Sequence, residues 1–397
     1  MKKKQLHIVN KYYLPVLAGI ETCISETYSR FSPDEWNITI HTSADSLDAP
    51  NSLPEEEIDR GMNIIRYKTR RGIFVPLIPW TTADIVVLNN FSVSPVLPVL
   101  VQGFALKLVG LKRAKMVLAP HGGYTPNWSH FVPWQAHIKK FLHNVVGKFL
   151  INATVDAVHS VAEWERERLI AAGLNPVRIH VIPNGVEDVA FNRSHEHVSA
   201  KTKKLVKKSG DYILAISRIH PLKNIEVAIK SLTHVPEHIK LVILGQNQDE
   251  AYYGDLVELI QVLGLTDRVV FAGAITGGDK YHVINNAIAM VHTSRFEVDP
   301  LVIKECLTQG TICVAANNTG TGRLIVDGVN GYLVPTFDEN KLAEVICHII
   351  DNPRGRENNA VRKYNRDNRD LYRWTKASGQ IQLLFTNLLS QWSLSYS

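Results

Sequence analysis

The sequence predicts an α/β protein of two domains, each with a parallel β-sheet covered by helices. Short apolar runs alternate with segments of helical periodicity along most of the 397 residues, and this alternation is typical of parallel sheets with helices on both faces. A polar, highly charged stretch at 191–209 interrupts the alternation, which resumes at Tyr212. A chain of this length also favours two domains over one. The predicted domains are therefore 1–190 and 210–375, joined by a linker.

In the first half, six short apolar runs are predicted strands: 5–10, 37–42, 62–67, 84–88, 115–119 and 180–183. Gly19 can open a loop before a helix predicted at about 20–31, because glycine adopts backbone conformations that other residues avoid. The stretch 85–106 carries no charge and is long enough to span a bilayer. Asn, Ser, Pro and Gln residues interrupt it, so a buried strand followed by a helix is favoured.

In the second half, four runs are predicted strands: 212–217, 240–244, 269–272 and 287–293. Asp299 and Pro300 predict the start of a helix, since Asp caps helices and Pro at the first helical position loses only a donor that has no partner there. This helix is expected to end at Gln309, before Gly310. The terminal segment 363–392 predicts further helices.

Cysteine usage and the N-terminus indicate the compartment. The four cysteines are scattered and form no C-x-x-C pair, which argues against a disulfide framework and a zinc site and favours a reducing compartment. The basic start is followed by an apolar run too short for a signal peptide. We expect a cytoplasmic protein with peripheral association at the inner face of the cell membrane.

The net charge of +6 is unevenly distributed, because 85–155 contains seven lysine and arginine residues and no acidic residue. Such a surface favours an anionic partner, namely lipid headgroups, phosphate-bearing ligands or nucleic acid, although a solvated surface without a partner is the alternative. Nucleic acid is disfavoured because no recognition helix is evident. Residues 131–150 alternate apolar and basic at helical spacing, which predicts a surface helix for an anionic membrane. Trp134, Lys139 and Lys140 are the candidates on this acceptor and membrane side.

Two cations and two carboxylates in the second half are candidates for ligand binding. Arg218 and Lys223 follow a predicted strand, at the kind of strand end where open α/β sheets bind ligands, and they could stabilise a diphosphate. Glu297 and Glu305 could hold two parts of one extended ligand, such as a sugar and a ribose. Surface ion pairs for the cations, and a chance spacing for the glutamates, are the alternatives on spacing alone.

In the first half, His121 and the glycines beside it follow another predicted strand, although a lone His is more often structural. The sequence lacks H-E-x-x-H, G-x-S-x-G, Walker A and D-x-D patterns, so metalloprotease, serine hydrolase and P-loop kinase chemistry is unsupported. It also lacks G-x-G-x-x-G after the first strand, which disfavours a nicotinamide dinucleotide.

Eight features taken in order resemble one family over nearly the whole chain. They are AGIE at 18–21, His121-Gly122, VIPNGVE at 181–187, ISRIHPLKN at 216–224, VILG at 242–245, FAG at 271–273, the Glu297-to-Glu305 spacing and DGVNGYLV at 327–334. With them the chain resembles a family 4 glycosyltransferase of the GT-B architecture. The resemblance implies two Rossmann-like domains facing across a cleft, with the acceptor bound by 1–190 and the nucleotide-sugar by 210–375. It also implies that a terminal helix at about 376–397 packs back on the first domain.

The resemblance implies a role for each candidate residue. Arg218 and Lys223 would neutralise the donor diphosphate, Glu305 would hold the ribose, and Glu297 would contact the donor sugar. Gly19 would let a loop reach the diphosphate, and His121 would contact the sugar near the reacting carbon. Gly273 and Leu301 are further donor-binding candidates. The implied catalytic set is His121, Arg218, Lys223 and Glu297.

The implied reaction is a hexosyl transfer that retains the anomeric configuration and needs no metal or other cofactor. The donor would be a nucleotide-sugar, with UDP as the expected nucleotide. The acceptor would be a lipid-linked or saccharide molecule used in cell-surface glycan synthesis, such as polysaccharide or lipopolysaccharide.

Two departures from the family pattern leave an alternative open. After Glu297 the family usually has Gly-Phe-Gly, whereas this chain has Val298-Asp299-Pro300, and Ala18 stands where a Gly-Gly pair is common. Pro300 has no N–H to donate, and Asp299 would bring negative charge near a diphosphate. The alternative is a non-catalytic glycan- or nucleotide-binding protein on a decayed transferase fold.

Overall fold

The computed structural model describes residues 2–16, 19–46, 49–92, 94–111, 114–124, 133–192 and 198–393. The chain divides into two compact units, the first formed by Met1–Asn184 with Trp374–Ser397 and the second by Gly185–Arg373. The division falls within the Asn184-Gly185 turn, so the second unit begins well before residue 210, where the sequence places it. Ala18 lies outside the described residues.

The first unit contains an eight-stranded sheet in the order β3-β4-β2-β1-β5-β6-β7-β8. All neighbouring strands are parallel except β3, which pairs antiparallel with β4 at the sheet edge. The strands are β1 (Lys4–Val9), β2 (Trp36–Ser43), β3 (Glu56–Asp59), β4 (Met62–Tyr67), β5 (Ile85–Asn89), β6 (Lys115–Ala119), β7 (Ala157–Ser160) and β8 (Ile179–Val181).

The helices of the first half are α1 (Gly19–Tyr28), α2 (Val96–Leu108), α3 (Pro133–Phe141), α4 (Lys148–Thr154) and α5 (Glu163–Ala171). A π-helical turn, Leu142–Gly147, joins α3 to α4. The predicted surface helix at 131–150 is therefore three consecutive helical segments over the part that is described. In the described ranges, no helix is both long and apolar enough to cross a bilayer.

The second unit contains a fully parallel six-stranded sheet in the order β11-β10-β9-β12-β13-β14. The strand order reverses between β9 and β12, and open α/β sheets bind ligands at the carboxyl ends of the strands that flank such a reversal. The strands are β9 (Tyr212–Ile216), β10 (Lys240–Leu244), β11 (Val269–Gly273), β12 (Ala289–His292), β13 (Ile312–Ala316) and β14 (Tyr332–Val334).

The helices of the second unit are α6 (Ala200–Ser209), α7 (Ile225–Ser231), α8 (Glu250–Val262), α9 (Gly277–Asn286), α10 (Leu301–Gln309), α11 (Thr321–Leu324), α12 (Glu339–Asp351) and α13 (Arg356–Asp367). The four central strands of the sheet, β10, β9, β12 and β13, are buried on both faces. Ile213 and Leu241 belong to one apolar cluster, and their neighbours Leu214 and Val242 belong to the other. Continuous apolar runs give this result because successive strand residues point to opposite faces.

Helix α6 occupies much of the stretch that the sequence predicts as a linker. The Ser199 hydroxyl accepts a hydrogen bond from the Thr202 N–H at 3.2 Å and caps the helix. Leu205 and Val206 pack against the apolar cluster of the second unit. The charged residues mask this apolar face in the sequence, so the linker prediction is wrong for 200–209.

The C-terminal helix α14 (Trp374–Ser393) belongs to the first unit and contacts α1. Phe385 packs among Tyr28, Phe31 and Trp36, with ring centroids 6.0–6.4 Å away. The Ser378 hydroxyl donates a hydrogen bond to the Thr27 carbonyl at 2.8 Å. The end of the chain is thus held by an aromatic cluster on the first sheet and its first helix.

Replacement of Phe385 by Ala should destabilise the first unit by about 3–5 kcal/mol, because it empties a buried aromatic position. Phe385 is 1% exposed and Leu383, on the same helix, is 60% exposed. Leu383→Ala is therefore the matched control and should cost about 0.5 kcal/mol or less. Urea unfolding of the full chain measures both, and equal losses would show that α14 does not dock through Phe385.

Candidate functional site

Arg218 lies just beyond the carboxyl end of β9, where the sheet order of the second unit reverses. Its guanidinium is exposed and donates one hydrogen bond, from Nη1 to the Gln248 Oε1 at 2.8 Å. Gly245, at the end of the neighbouring β10, allows this arrangement. A Cβ there would lie 1.8 Å from the Ser217 carbonyl oxygen. The VILG motif thus lets the backbone that presents Arg218 pass close to β10.

Lys223 and Glu297 form a partly buried ion pair at the same edge of the sheet. The Lys223 Nζ donates to the Glu297 Oε1 at 2.6 Å, and the two side chains are 17% and 14% exposed. The His292 Nε2–H, at the end of β12, donates to the same oxygen at 3.1 Å. The sequence analysis did not identify His292. Its position at the end of a predicted strand is the signal that could have found it.

The two hydrogen bonds leave one Glu297 oxygen available. Within the described chain, the Oε2 atom makes no hydrogen bond, because both contacts go to Oε1. Burial opposes ionisation, but the Lys223 ammonium and the His292 hydrogen bond outweigh it and hold the pKa of Glu297 well below its usual range. Glu297 is therefore a carboxylate at neutral pH, with one oxygen able to accept a hydrogen bond.

Hydrogen bonds between two loops fix the position of the Lys223–Glu297 pair. The Thr293 hydroxyl donates to the Lys223 carbonyl at 3.0 Å, and the Arg295 N–H donates to the Leu222 carbonyl at 2.9 Å. Gly320 lies against the other side of the loop, where a Cβ would approach the Glu297 carbonyl oxygen to 2.5 Å. The Gly-rich segment after β13 therefore supports the loop that carries Glu297.

Asp299 forms an ion pair with Lys304 instead of capping α10. The Lys304 Nζ lies 2.6 Å from each Asp299 carboxylate oxygen, and the side chains are 2% and 8% exposed. Helix α10 begins at Leu301, with Pro300 in the cap position and no side-chain cap hydrogen bond. The capping prediction is wrong because a buried ammonium five residues along the chain is the stronger partner for this carboxylate.

Glu305 shares a buried lysine with Glu187. The Lys280 Nζ donates to the Oε1 atoms of both glutamates at 2.9 Å. Burial lowers the pKa of an amine, but the Glu305 and Glu187 carboxylates outweigh it, so the pKa of Lys280 is raised. The Glu305 Oε2 is buried without a hydrogen-bond partner in the described chain. It is an acceptor available to a ligand hydroxyl.

Lys280 is a residue that the sequence did not indicate. It lies in α9 beside the buried Tyr281 and Val283, and a lysine in such an apolar surrounding is the signal that could have found it. Glu187 ends the VIPNGVE motif but received no role. Only the three-dimensional structure brings these two residues to Glu305.

Gly273 is the last residue of β11, and Leu301 is the first residue of α10. The Gly273 carbonyl accepts a hydrogen bond from the Gly245 N–H at 3.0 Å, and the Gly273 φ is +74°, a left-handed conformation that favours glycine. Leu301 is the half-buried first residue of α10, whose N-terminal end carries the positive end of the helix dipole.

In the first unit, His121 follows β6 in a left-handed conformation, with φ of +48°. Its Nε2–H donates to the Asn89 Oδ1 at 3.2 Å, at the end of the adjacent β5. Desolvation by surrounding protein and the nearby His159 ring lower the pKa of His121 to about 3. The imidazole is therefore neutral at physiological pH.

The backbone beside His121 is held by a buried glutamate. The Glu165 Oε1 accepts a hydrogen bond from the Gly122 N–H at 2.5 Å, and its Oε2 accepts from the Val161 N–H at 2.9 Å and the Ser160 hydroxyl at 3.0 Å. Gly123 packs where a Cβ would collide with the Asn90 side chain. Glu165 and Gly123 thus fix the loop that presents His121.

Gly19 is the first residue of α1, directly after residues 17–18, which lie outside the described chain. A Cβ at Gly19 would meet no described atom within 4 Å. The helix begins at this glycine, one residue earlier than predicted. No contact with a described residue requires glycine at this position.

The helical segment 133–154 exposes large apolar side chains at helical spacing on one face. We call Trp134, Ile138, Phe141, Val145 and Phe149 the apolar stripe, and all five are more than half exposed. Phe149 contacts Phe104 of α2, with ring centroids 5.2 Å apart. Lys140 is exposed and Lys139 is half-buried on the same segment.

The predicted site residues fall into two groups. The second unit holds Arg218, Lys223, Gly273, Glu297, Leu301 and Glu305, and the first holds Gly19, His121, Trp134, Lys139 and Lys140. Among the described residues, no three His, Cys, Asp or Glu side chains form a cluster that could hold a metal ion. The second unit thus brings Arg218, Lys223 and Glu297 to the ends of its central strands.

Comparison with known proteins gives matches over both units. The family model "Glycosyltransferase Family 4" matches residues 18–189, and "Glycosyl transferases group 1" matches 199–368. An uncharacterized glycosyltransferase of Methanocaldococcus jannaschii is 23% identical over 98% of this chain and 100% of its own length. The alpha-monoglucosyldiacylglycerol synthase of Streptococcus pneumoniae is 29% identical over 54% of this chain and 46% of its own.

A similar solved structure is that of the Anabaena protein HepE in complex with UDP. It has a TM-score of 0.75 and 19% identity, and the match covers 97% of this chain and 100% of HepE. The same protein has been solved with UDP and glucose and with UDP-glucose. A likeness at this identity establishes the two-domain GT-B fold.

The Asp299–Lys304 pair predicts a non-additive mutational cycle. Asp299→Phe or Lys304→Leu should each destabilise the second unit by about 3–5 kcal/mol, because each breaks this buried ion pair. The double change Asp299→Phe with Lys304→Leu should lie within about 1 kcal/mol of the parent or be more stable, since an apolar contact replaces the pair. Urea unfolding monitored by circular dichroism tests this. Additive losses would contradict the pairing.

Proposed function

The chain belongs to the family 4 glycosyltransferases of GT-B fold, and we propose that it is a retaining hexosyltransferase. In this proposal it moves a sugar from a nucleotide-diphosphate donor, with UDP as the nucleotide, to a lipid-linked or saccharide acceptor for cell-surface glycans. The observation that carries the proposal is the convergence of Arg218, Lys223 and Glu297 at the strand reversal of the second sheet.

The donor diphosphate is assigned to Arg218 and Lys223. Arg218 is exposed and, among the described residues, its guanidinium donates a hydrogen bond to Gln248 alone, which leaves its other donors for phosphate oxygens. Lys223 has three ammonium donors, so it can keep Glu297 and still donate to a phosphate. Both cations would stabilise the charge that develops on the departing nucleoside diphosphate, and no step requires a metal ion.

Glu297 and Glu305 are assigned to hydroxyl groups of the donor. Each has one oxygen bound to a lysine, and the other accepts no hydrogen bond from described residues. A carboxylate oxygen in this state favours a hydroxyl donor. Glu297 would bind the transferred sugar and Glu305 the ribose, while Gly273 and Leu301 would form the surrounding backbone.

In the first unit, His121 is assigned to contact with the sugar near the reacting carbon, and Gly19 to close backbone approach. The low pKa of His121 keeps the imidazole neutral, so it would act through hydrogen bonds and not through a positive charge. Glu165 is a positioning residue for this loop, because it holds the adjacent Gly122 N–H.

Two relatives support the choice of donor and acceptor. HepE has been solved with UDP-glucose, which favours a UDP-sugar for this chain. The name of the alpha-monoglucosyldiacylglycerol synthase refers to a glycolipid, which favours a lipid-linked acceptor. The non-catalytic alternative was based on Val298-Asp299-Pro300 and Ala18, and the Lys304 ammonium neutralises one part of it, the charge of Asp299.

We also propose that the first unit docks on the anionic inner face of the cell membrane. The apolar stripe offers five exposed large side chains on one face of 133–154, a pattern typical of interfacial helices. Val101 and Leu108 of α2 are also exposed, and their spacing puts them on the face of Phe104, which contacts the stripe at Phe149. The acid-free region 85–155 supplies the complementary charge.

The first prediction of this proposal is donor binding and turnover. Incubation with UDP-, GDP- and ADP-sugars should give a saturation-transfer NMR signal and slow nucleotide release for a UDP-sugar. The anomeric proton coupling of the product should match that of the donor sugar, because the transfer retains configuration. An absence of binding to every nucleotide would reject the function, and inverted product would reject retention.

Matched variants locate the donor site in that experiment. Arg218→Ala should weaken UDP affinity at least tenfold, since a charge-assisted phosphate contact contributes about 1.5–3 kcal/mol. Arg354 is an exposed cation elsewhere in the second unit, so Arg354→Ala should leave the UDP affinity unchanged. Equal behaviour of the two variants would remove Arg218 from the site.

The second prediction concerns membrane association. Ile138→Gln combined with Phe141→Gln should reduce binding to phosphatidylglycerol-containing vesicles at least tenfold, because each buried apolar side chain contributes about 1.5–3 kcal/mol. Val177 is 83% exposed in the first unit but lies outside the stripe, so Val177→Gln is the control. Vesicle flotation at two salt concentrations measures both variants. Unchanged binding by the double variant would contradict the docking face.

A further inference from the structure

A cavity of about 400 Å³ lies at the carboxyl edge of the first sheet. Its wall combines an apolar part, formed by Phe91, Leu97 and Leu142, with three cations. The cations are Lys11 after β1, Arg71 in the segment after β4, and Lys139 of α3. A volume of this size is sufficient for a small ligand group such as one sugar ring or a diphosphate with the start of its chain.

The described wall of the cavity carries charge of a single sign, because no Asp or Glu is among the described residues that line it. His143 also contributes to the wall, but burial lowers its pKa, so it is uncharged at neutral pH. In the described chain, no hydrogen bond or ion pair engages the side chain of Arg71 or of Lys11, and the Lys11 ammonium lies 5.1 Å from the centroid of the Tyr12 ring. Arg71 and Lys11, which lie beside apolar surface without a described anionic partner, favour an anionic group in the cavity.

The backbone places two of these cations side by side. Arg70 and Ile73 exchange backbone hydrogen bonds of 3.0 and 3.1 Å, which closes a two-residue turn. Arg71 and Gly72 at its tip have φ of +55° and +71°. The Lys11 Nζ lies 3.9 Å from the position of a Cβ on Gly72. A turn with a strained arginine therefore lies directly against a lysine from the first strand end.

The position of the cavity connects it to the reaction. Gly123, two residues after His121, forms part of the wall. Lys139 and Leu142 line the cavity, whereas their neighbours Ile138 and Phe141 belong to the exposed apolar stripe. One helical segment thus faces the cavity on one side and exposes apolar surface on another.

We propose that this cavity binds the acceptor through a phosphate or diphosphate ester, which Lys11, Arg71 and Lys139 hold. The part of the acceptor next to the phosphate would pack against Phe91, Leu97 and Leu142. The inference rests on the proposed transferase function, and it names the chemical class of the acceptor. The anionic group can be that of a lipid-linked acceptor or of a phosphorylated sugar. Both present the same phosphate to the three cations, so the experiment separates them.

The test is calorimetric titration of the full chain with three probes in saturating UDP, which keeps them out of the donor site. Farnesyl diphosphate represents a lipid-linked acceptor, glucose 6-phosphate a phosphorylated sugar, and farnesol an uncharged control. We expect at least one phosphorylated probe to bind at least tenfold more tightly than farnesol. Lys11→Gln with Arg71→Asn should reduce that affinity at least tenfold, and the asparagine tolerates the left-handed backbone.

Two further variants separate a binding defect from a folding defect. Lys11→Arg with Arg71→Lys keeps both charges and should retain most of the affinity. Lys4→Gln with Lys68→Gln removes two cations of the first unit that already pair with Glu35 and Glu55, and it should change nothing. An equal loss of probe affinity in the Lys11→Gln/Arg71→Asn variant and in the Lys4→Gln/Lys68→Gln variant would overturn the proposal.

The remaining outcomes are also decisive. If UDP binds but neither phosphorylated probe does, the acceptor inference fails and the transferase proposal stands. If UDP itself does not bind, the transferase proposal fails. The Lys11/Arg71 charge-removal variant should bind phosphatidylglycerol vesicles as the parent does. A parallel loss of vesicle binding would overturn the cavity assignment, because the cations would then contact bulk headgroups.

Discussion

The second unit depends on one constraint, which is that a carboxylate removed from water must be paired. Three acidic side chains between 297 and 305 are largely removed from water, and each is held by a lysine: Glu297 by Lys223, Asp299 by Lys304, and Glu305 by Lys280. An unpaired ion in such a place would cost several kcal/mol. The pairs therefore restrict the geometry of the loop after β12 and of α10, and the hydrogen bonds of Thr293 and Arg295 to the facing loop complete that restriction.

The fold was predictable from the sequence where a continuous apolar run corresponds to a strand that is buried on both faces. Apolar runs such as 240–244 and 312–316 are buried on both faces of a parallel sheet, and their continuity is visible in the sequence. Shorter or more polar elements were not found. Strand β3 is a mostly exposed edge strand of sequence EEID, and β7 has only four residues. Helix α6 was missed because its lysines conceal a narrow apolar face, Leu205 and Val206, that forms only in helical conformation.

The sequence indicated candidate residues one by one but not how they pair in the structure. Strand ends indicated Arg218 and Lys223, and the family resemblance gave roles to both glutamates. The partners are remote in sequence, since Lys223 and Glu297 are 74 residues apart and Lys280 and Glu305 are 25 apart. No local pattern specifies such contacts. Asp299 was predicted to cap a helix because a local sequence rule applies to it. In the structure its carboxylate binds the buried Lys304 ammonium instead.

Glu297 and Glu305 share an arrangement that bears on what the site can bind. In each glutamate, a lysine donates a hydrogen bond to one carboxylate oxygen, and in Glu297 a histidine donates to that same oxygen. No described residue donates to the other oxygen. The paired oxygen fixes the side chain, so the other oxygen is a preorganised acceptor and requires little reorganisation on binding. An oxygen of this kind favours a hydroxyl and repels a phosphate. The exposed guanidinium of Arg218, which donates a hydrogen bond to Gln248 among the described residues, favours a phosphate instead. Two carboxylate acceptors and an available guanidinium are the complement of a ligand with hydroxyls on two rings and an anionic link, which is the chemistry of a nucleotide-sugar.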